Sequence, residues 1–164
     1  SAVPMLVGGI GQPVLKWRIL YQELFAMNIY FSCSVTGGRS DQTIYHLMVE
    51  NLLSNGHTVP TAHLAGTDVL QREEISDAGV VYHRDVDWVT QCEALIAEVS
   101  TPSHGVGYEI ALALQLGKPV LCCFQAGRKV SKMILGNDHP NIRVAPYRTP
   151  EEALGLMSDF IDSL

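Results

Sequence analysis

Residues 94–117 constrain the fold of this chain more than any other stretch. They read ALIAEVSTPSHGVGYEIALALQLG, a short apolar run, a turn rich in Pro, Ser and Gly, and then an almost wholly apolar segment. Ser103 can cap a helix there, and Gly117 followed by Pro119 would end it. A buried strand that leads directly into a helix is the repeating unit of α/β proteins, so the stretch predicts a central β-α unit.

The predicted helix contains a carboxylate, Glu109, in its second turn. At 3.6 residues per turn, Glu109 points the same way as Leu112 and Ala113, into an apolar stripe where ionisation is costly without partners. Two interpretations stay open: a buried glutamate in a structural hydrogen-bond network, or a carboxylate kept dry for chemistry. We favour the second, because Gly105 and Gly107 let another molecule approach the backbone closely and a helix N-terminus suits an anion.

Strand-like and helical segments alternate along the rest of the chain. Besides the run that begins at residue 94, the strand-like runs are residues 28–34, 118–124 and 141–145, and residues 57–63 are expected to form a short strand with its exit loop. The helical segments besides the one after Ser103 are residues 41–54, 80–92, 130–135 and a C-terminal helix that Thr149 and Pro150 open. The pattern predicts an α/β, Rossmann-like (flavodoxin-like) fold with a mostly parallel sheet of about five strands and helices on both faces. Ligands in such sheets bind at the carboxyl ends of strands.

The N-terminal segment differs from the rest. Residues 1–26 are loop-like with several Gly and Pro breakers, and we expect them to form an extension outside the core domain of residues 27–164. Lys16, Arg18 and Glu23 exclude a membrane span there, and no basic region precedes an apolar core as in a secretory signal. We expect residues 66–79, which are polar, to form an irregular lid or specificity loop.

Charge and cysteine usage narrow the function classes. A formal net charge of −6 argues against a nucleic-acid-binding surface, which needs clustered Lys and Arg. The six His and four Cys show no metal-ligand spacing, so we expect no metal. Cys33, Cys92, Cys122 and Cys123 fit buried reduced thiols, which suits the cytoplasm, with the nucleus as a second expected location.

A second carboxylate is expected to face inward from residues 80–92. Helical spacing groups Asp85 with Val81 and Trp88, whereas Asp87 and Arg84 fall on another face. Two inward carboxylates suit glycosidic-bond cleavage, in which one attacks the anomeric carbon and the other protonates the leaving group. The spacing alone equally suits a phosphatase or a non-catalytic nucleotide sensor.

The segments IYFSCSVTGGRSD, HRDVDW and AEVSTPSHGVGYEIALAL resemble those of the 2′-deoxynucleoside 5′-phosphate N-hydrolases, relatives of the nucleoside 2-deoxyribosyltransferases. The resemblance covers residues 28–145. It implies that Glu109 is the nucleophile, that Asp85 assists departure of the base, and that Tyr30 orients the nucleophile.

The resemblance also implies a substrate-binding set. His63 matches a histidine of the nucleobase region, and Ser131 resembles a serine that reaches the phosphate across a homodimer interface. Thr36 stands where a basic residue can occur. The expected substrate and phosphate residues are Val35, Thr36, Gly37, Gly38, Ser103, Gly105 and Ser131.

The implied reaction is hydrolysis of a deoxynucleoside monophosphate to free base and deoxyribose 5-phosphate through a glycosyl-glutamate. This chemistry needs no metal or redox cofactor. A ribonucleotide N-glycosidase acting on CMP, a nucleoside 2-deoxyribosyltransferase and a nucleotide-binding regulator without turnover remain alternatives. A small-molecule nucleotide is the expected partner, with no nucleic acid and no membrane.

Overall fold

The computed structural model describes residues 25–35, 41–65 and 77–164, apart from the side chains of residues 64 and 65. Most of the expected N-terminal extension, residues 36–40 and residues 66–76 of the expected lid lie outside the described residues. In the described part of the chain, no helix is long and apolar enough to cross a membrane.

A parallel sheet forms the centre of the molecule. Its strands stand side by side in chain order: β1 (Ile29–Ser32), β2 (Ala94–Glu98), β3 (Val120–Gln125) and β4 (Ile142–Tyr147). All three neighbouring pairs are parallel. The first two strands are buried along their whole length, as expected for a sheet covered on both faces.

Five α-helices accompany the sheet in the described residues. They are α1 (Gln42–Ser54), α2 (Ala78–Gln91), α3 (His104–Gln115), α4 (Lys132–Leu135) and α5 (Pro150–Asp162), and Ala62–Ala65 forms a 3-10 turn. Ser103 caps α3 and Thr149 caps α5 with Pro150 in its first turn, which confirms both sequence predictions.

The helices divide into two layers, each with its own core. On one face, Met48 and Leu52 of α1 and Met157 and Phe160 of α5 pack against odd-numbered residues of β1 such as Phe31. On the other face, α2 and α3 cover even-numbered residues of β1. The three-layer α/β prediction is confirmed.

The predicted strand at residues 57–63 is wrong. It is reduced to one parallel bridge between Thr58 and Asn28 at the outer edge of β1. Pro60 has no N–H to donate, and the hydroxyl of Thr61 takes the place of a strand, since it accepts from Phe31 N (3.0 Å) and donates to Phe31 O (2.7 Å). Within the described part of the chain, the sheet therefore has four strands rather than about five.

This bridge still shows how the chain is routed. After β1 the chain passes α1 and reaches the outer edge of β1 at Thr58, and it then returns through α2 to β2 on the opposite side of β1. The connections thus diverge at the carboxyl end of β1. A crevice at such a divergence is where open α/β sheets bind ligands.

The buried face of α1 is not defined by its apolar residues alone. Leu47 is apolar, but its side chain is 39% exposed. Tyr45 and Val49 are buried instead, together with Met48 and Leu52. The buried stripe is thus rotated slightly from the one that the apolar residues alone indicate.

Candidate active site

The carboxyl end of β1 supplies two hydroxyls to the face covered by α2 and α3. Tyr30 and Ser32 are two residues apart in the strand, so their side chains project to the same side. Ser32 Oγ donates a short hydrogen bond to Glu109 Oε2. Tyr30 is fully buried. A strand buried on both faces therefore carries polar groups where it meets α3.

Glu109 enters this place from the second turn of α3. Burial is the largest influence on its carboxyl group and raises its pKa from 4.5 to about 7. The hydrogen bond from Ser32 and the nearby hydroxyl of Tyr30 oppose this shift, while the negative charge of Asp85 adds to it and the positive charge of Arg84 reduces it. Glu109 is thus balanced between its neutral and ionised forms near neutral pH.

The hydroxyl of Tyr30 lies beside the carboxylate. Its pKa is raised well above the ordinary value, first by burial and then by the charges of Glu109 and Asp85, so the phenol keeps its proton. Within the described part of the chain this hydroxyl forms no well-aligned hydrogen bond. It nevertheless lies near enough to Glu109 to lower the pKa of that carboxyl. The hydroxyl is therefore a donor held next to Glu109.

Asp85 comes from α2, on the opposite wall. Arg84 Nε donates to Asp85 Oδ1 at 2.8 Å, and the guanidinium carbon of Arg84 stands 5.0 Å from the centre of the Trp88 ring. Trp88 in turn meets the His63 ring edge to face, with 5.7 Å between centroids. Asp85 is partly buried whereas Asp87 is exposed, which agrees with the predicted faces for these two acids. Arg84, which helical spacing groups with Asp87 on another face, reaches Asp85 and Trp88 through its long side chain.

The two carboxylates share one cavity between α2 and α3, with a volume of about 230 Å³. Tyr82 and Tyr108 flank its mouth from the two helices, with their hydroxyl oxygens 3.4 Å apart. Besides these two tyrosines, the lining consists of Asp85, Val86, Val89, Gly105, Glu109 and Leu112. Glu109 and Asp85, which were both expected to face inward, line the same cavity.

The expected phosphate residues divide between two places and the undescribed loop. Gly105 lines the carboxylate cavity. Ser103 and Ser131 instead line a groove of about 470 Å³ on the other side of α3. Both serines also cap helices, Ser103 through Val106 N and Ser131 through Met133 N. Val35 is partly buried at the end of a described stretch, while Thr36, Gly37 and Gly38 lie outside the described residues.

Sequence reasoning missed three polar residues near these sites. Ser32 could have been found from its spacing of two from Tyr30. Glu98, which is fully buried at the end of β2, accepts from Ser100 Oγ and from Tyr147 Oη at 2.8 Å. The position of Glu98 at the end of an apolar run could have indicated this residue from the sequence. No sequence pattern indicated Arg84, because a long side chain can fold back over a neighbouring ring whichever face its Cα occupies.

This arrangement provides a nucleophile and an acid that can act together on one bond to carbon. A carboxylate with two hydroxyl donors beside it can attack, and a second carboxylate across a small cavity can exchange a proton with a leaving group. No group of three or more His, Cys, Asp or Glu side chains among the described residues is arranged to hold a metal ion.

Comparison with known proteins agrees with these features. The family model described as nucleoside 2-deoxyribosyltransferase matches residues 29–158. The chain is 37% identical over 147 residues to a 5-hydroxymethyl-dUMP N-hydrolase of Tetraodon nigroviridis, covering 84% of this chain and 99% of that protein. It is 42% identical over 118 residues to the protein of the same name from Mus musculus, covering 70% and 68% respectively.

The fold also matches a solved structure. A CMP N-glycosidase from Clostridium botulinum superposes with a TM-score of 0.62 at 18% identity, covering 80% of this chain and 98% of that one. At this identity the likeness concerns the fold. Together with the family match and the close relatives, it confirms the resemblance found from the motifs: the chain belongs to the nucleoside 2-deoxyribosyltransferase family.

Proposed function

We propose that this protein is a hydrolase that cleaves the N-glycosidic bond of 2′-deoxynucleoside 5′-monophosphates, giving free nucleobase and deoxyribose 5-phosphate. The observation that carries the proposal is the meeting of Glu109 and Asp85 in one small cavity, with the hydroxyls of Ser32 and Tyr30 beside Glu109. The relatives named 5-hydroxymethyl-dUMP N-hydrolase support it, since a substrate of that chemical class has this bond.

In the first step, a carboxylate oxygen of Glu109 attacks C1′ of the sugar. The C1′–N bond breaks, its electron pair leaves with the base, and Asp85 gives the base a proton. The hydroxyls of Ser32 and Tyr30 stabilise the ionised Glu109 before the attack. The product of this step is a glycosyl-glutamate and a free base.

In the second step, water attacks C1′ and Asp85 takes a proton from that water. The bond between C1′ and Glu109 breaks, the carboxylate is regenerated, and the sugar leaves with the configuration of the substrate. The negative charge of Asp85 is one of the influences that raise the pKa of Glu109.

The nucleobase is proposed to lie near Asp85, with His63, Trp88 and Arg84 on one side. The edge-to-face contact of His63 with Trp88 and the position of Arg84 over the same ring make a continuous wall that ends at Asp85. A planar base leaving C1′ would meet this wall as it receives its proton.

We further propose that the working unit is a homodimer in which Ser131 completes the phosphate site of the neighbouring subunit. Ser131 is exposed and stands beside Met133, whose side chain is 82% exposed, on a groove lined mostly by apolar groups. A two-fold interface built on this groove would cover Met133 and bring each Ser131 to the other subunit. Ser103 lies on the same groove and would share the phosphate.

Product analysis tests the reaction. The protein is incubated with 5-hydroxymethyl-dUMP, other deoxynucleoside monophosphates, CMP and other ribonucleotides, and the matching nucleosides, and the released base is separated by chromatography. We expect base and deoxyribose 5-phosphate from deoxynucleotides. The control is Glu109→Gln, which is nearly isosteric but cannot attack C1′ and should lower turnover by several powers of ten. Near-native turnover of this variant would remove Glu109 from the mechanism.

A further inference from the structure

A cluster of three side chains lies beside the groove that holds Ser103 and Ser131. Asp41 precedes α1 as its N-cap residue, where an aspartate normally accepts from the first backbone amides of the helix. Its side chain makes no such bond. Asp41 Oδ2 instead accepts from Thr101 Oγ1 at 2.6 Å and from Arg128 Nη2 at 3.0 Å. Arg128 Nη2 also donates to Thr101 Oγ1 at 3.0 Å, which closes a triangle.

Each member of this triangle comes from a different loop at the carboxyl edge of the sheet. Asp41 ends the β1–α1 loop, Thr101 lies in the β2–α3 loop, and Arg128 lies in the β3–α4 loop. These are the loops that carry the proposed phosphate residues. Ser103 follows Thr101 by two positions, and Ser131 follows Arg128 by three. The triangle therefore fixes the spacing between the loop of Ser103, which serves the phosphate of its own chain, and the loop of Ser131, which the proposed dimer presents to the neighbouring chain.

The charges of the triangle matter as much as its bonds. The side chain of Asp41 is 8% exposed, whereas that of Arg128 is 37% exposed. A buried carboxylate without a partner would repel a phosphate dianion bound to the same loops. Arg128 removes that repulsion by pairing with the carboxylate, and the pair is partly buried, so solvent screens it less than a surface pair.

We propose that Asp41, Thr101 and Arg128 are positioning residues that hold the loop of Ser103 at the 5′-phosphate of its own chain and the loop of Ser131 toward that of the neighbouring chain, with Arg128 neutralising Asp41 so that a dianion is accepted. This inference rests on the proposed function. It assigns a role to residues that do not themselves touch the reacting atoms.

The inference predicts that variants of Arg128 and Asp41 weaken phosphate recognition to different extents. Arg128→Gln leaves a buried carboxylate without its cation and should raise KM for the nucleotide by roughly tenfold or more, since bonds between charged groups have about this effect. Asp41→Asn removes both charge and repulsion and should have a smaller effect. The double variant should then bind the nucleotide better than Arg128→Gln alone. Activity on the matching nucleoside, which has no phosphate, should change little in all three.

The experiment measures kcat and KM on nucleotide and nucleoside, and in parallel the protection that inorganic phosphate gives against thermal unfolding. Arg143→Gln is the matched control, because it removes the same charge from an exposed position near the start of β4. Thr101→Ser should restore the behaviour that Thr101→Val loses, because serine keeps the hydroxyl. We expect KM and phosphate protection to change together while kcat stays within a fewfold of the unsubstituted protein.

Several results would overturn the inference. One is an equal loss on nucleotide and nucleoside, which indicates a general folding defect. Another is a double variant that is no better than Arg128→Gln, which indicates that Arg128 binds the phosphate directly. If the unsubstituted protein releases no base from any nucleotide, the proposed function fails on its own, and phosphate protection still decides the role of the triangle. Absence of that protection in the unsubstituted protein would end the inference.

Discussion

At the scale of single residues, the site depends on how two carboxylates share negative charge in a small cavity. Glu109 is buried beside two hydroxyls that favour its ionised form, yet burial prevails and the pKa is raised to about 7. Near neutral pH the nucleophile is therefore ionised in only part of the molecules. The same raised pKa makes the stability of the protein depend on pH, because the unfolded chain ionises this group near 4.5.

The sign of this dependence gives the first prediction. Any stability gained from keeping Glu109 neutral is present below about pH 4.5 and is lost as the pH rises through about 7. Glu109→Gln stays neutral throughout, so its free energy of unfolding relative to the unsubstituted protein should rise between these values by roughly 1–3 kcal/mol. Thermal unfolding at pH 4.5, 6 and 8 measures it. Glu50→Gln, which removes an exposed carboxylate, is the control, and a parallel response of both variants would contradict the burial argument.

The pH dependence of kcat/KM in the unsubstituted protein should show the same raised pKa of Glu109. Because ionised Glu109 is the nucleophile, kcat/KM should rise with pH through about 7 before other groups limit it. A profile that is flat from pH 5.5 to 8 would indicate that the ionisation of Glu109 does not control the reaction.

The second prediction separates the acid from its neighbour on α2. Asp85→Asn cannot give a proton to the leaving base and should lower kcat by about 10²–10⁴-fold. Asp87→Asn changes an exposed side chain two positions away and should leave kcat nearly unchanged. A synthetic substrate whose leaving group needs no proton should restore the first step in Asp85→Asn, seen as a burst of released leaving group, but not in Glu109→Gln. Equal effects of the two asparagine variants would contradict the assignment of Asp85.

At the scale of elements, Ser103 at the N-terminus of α3 has two roles. Ser103 caps the helix by accepting from Val106 N, and it lies on the groove proposed for the phosphate. A cap that also binds a ligand is hard to test by one substitution, because loss of stability and loss of binding occur together. α5 offers a comparison, since Thr149 caps it through Glu152 N, and this helix starts after β4, at the far edge of the sheet from β1.

The third prediction uses this pair. Ser103→Ala and Thr149→Ala should each lower the free energy of unfolding by about 1 kcal/mol, the usual effect of losing a cap. Only Ser103→Ala should also lower kcat/KM for the nucleotide, by roughly tenfold to a hundredfold, with little change for the nucleoside. If Thr149→Ala reduces nucleotide activity as much, the loss belongs to stability rather than to phosphate binding.

The elements also show which features sequence patterns could predict. The β-α unit around Ser103, the caps of α3 and α5 and the inward turn of Asp85 follow from local rules of periodicity and capping, and they were predicted correctly. The strand at residues 57–63 was not, because one hydroxyl of Thr61 satisfies the backbone of Phe31 that a strand would have paired. The Asp41 triangle joins side chains 27 to 87 positions apart, and no local pattern reports such a contact.

At the scale of the whole molecule, the carboxylate cavity and the serine groove lie on two sides of the same helix. A substrate that reaches both must bind over the N-terminus of α3, where Gly105 lines the cavity and Ser103 lines the groove. A second subunit placed on the groove would therefore enclose the phosphate end of the substrate while leaving the carboxylates to their own chain.

The fourth prediction tests whether Ser131 acts across that interface. Glu109→Gln and Ser131→Trp are each expected to be inactive, the second because a bulky side chain blocks the phosphate. In a mixed dimer one site would contain both lesions and the other neither, so mixing after subunit exchange should restore activity to about half of the sites in each heterodimer. If Ser131 serves its own subunit, every site keeps one lesion and activity does not return. A fully active monomer in ultracentrifugation would also contradict the proposal.

The pairing of Thr61 with Phe31 has a consequence for how copies of this chain can associate. An uncovered edge strand offers free backbone groups on which another chain can extend the sheet, and this is a common start of aggregation. The single hydroxyl of Thr61 occupies both backbone groups of Phe31, and the bridge to Thr58 engages the neighbouring stretch. The β1 edge is therefore closed to added strands, which leaves helical surfaces for specific association there and protects the edge nearest the proposed nucleophile from fibril-like growth.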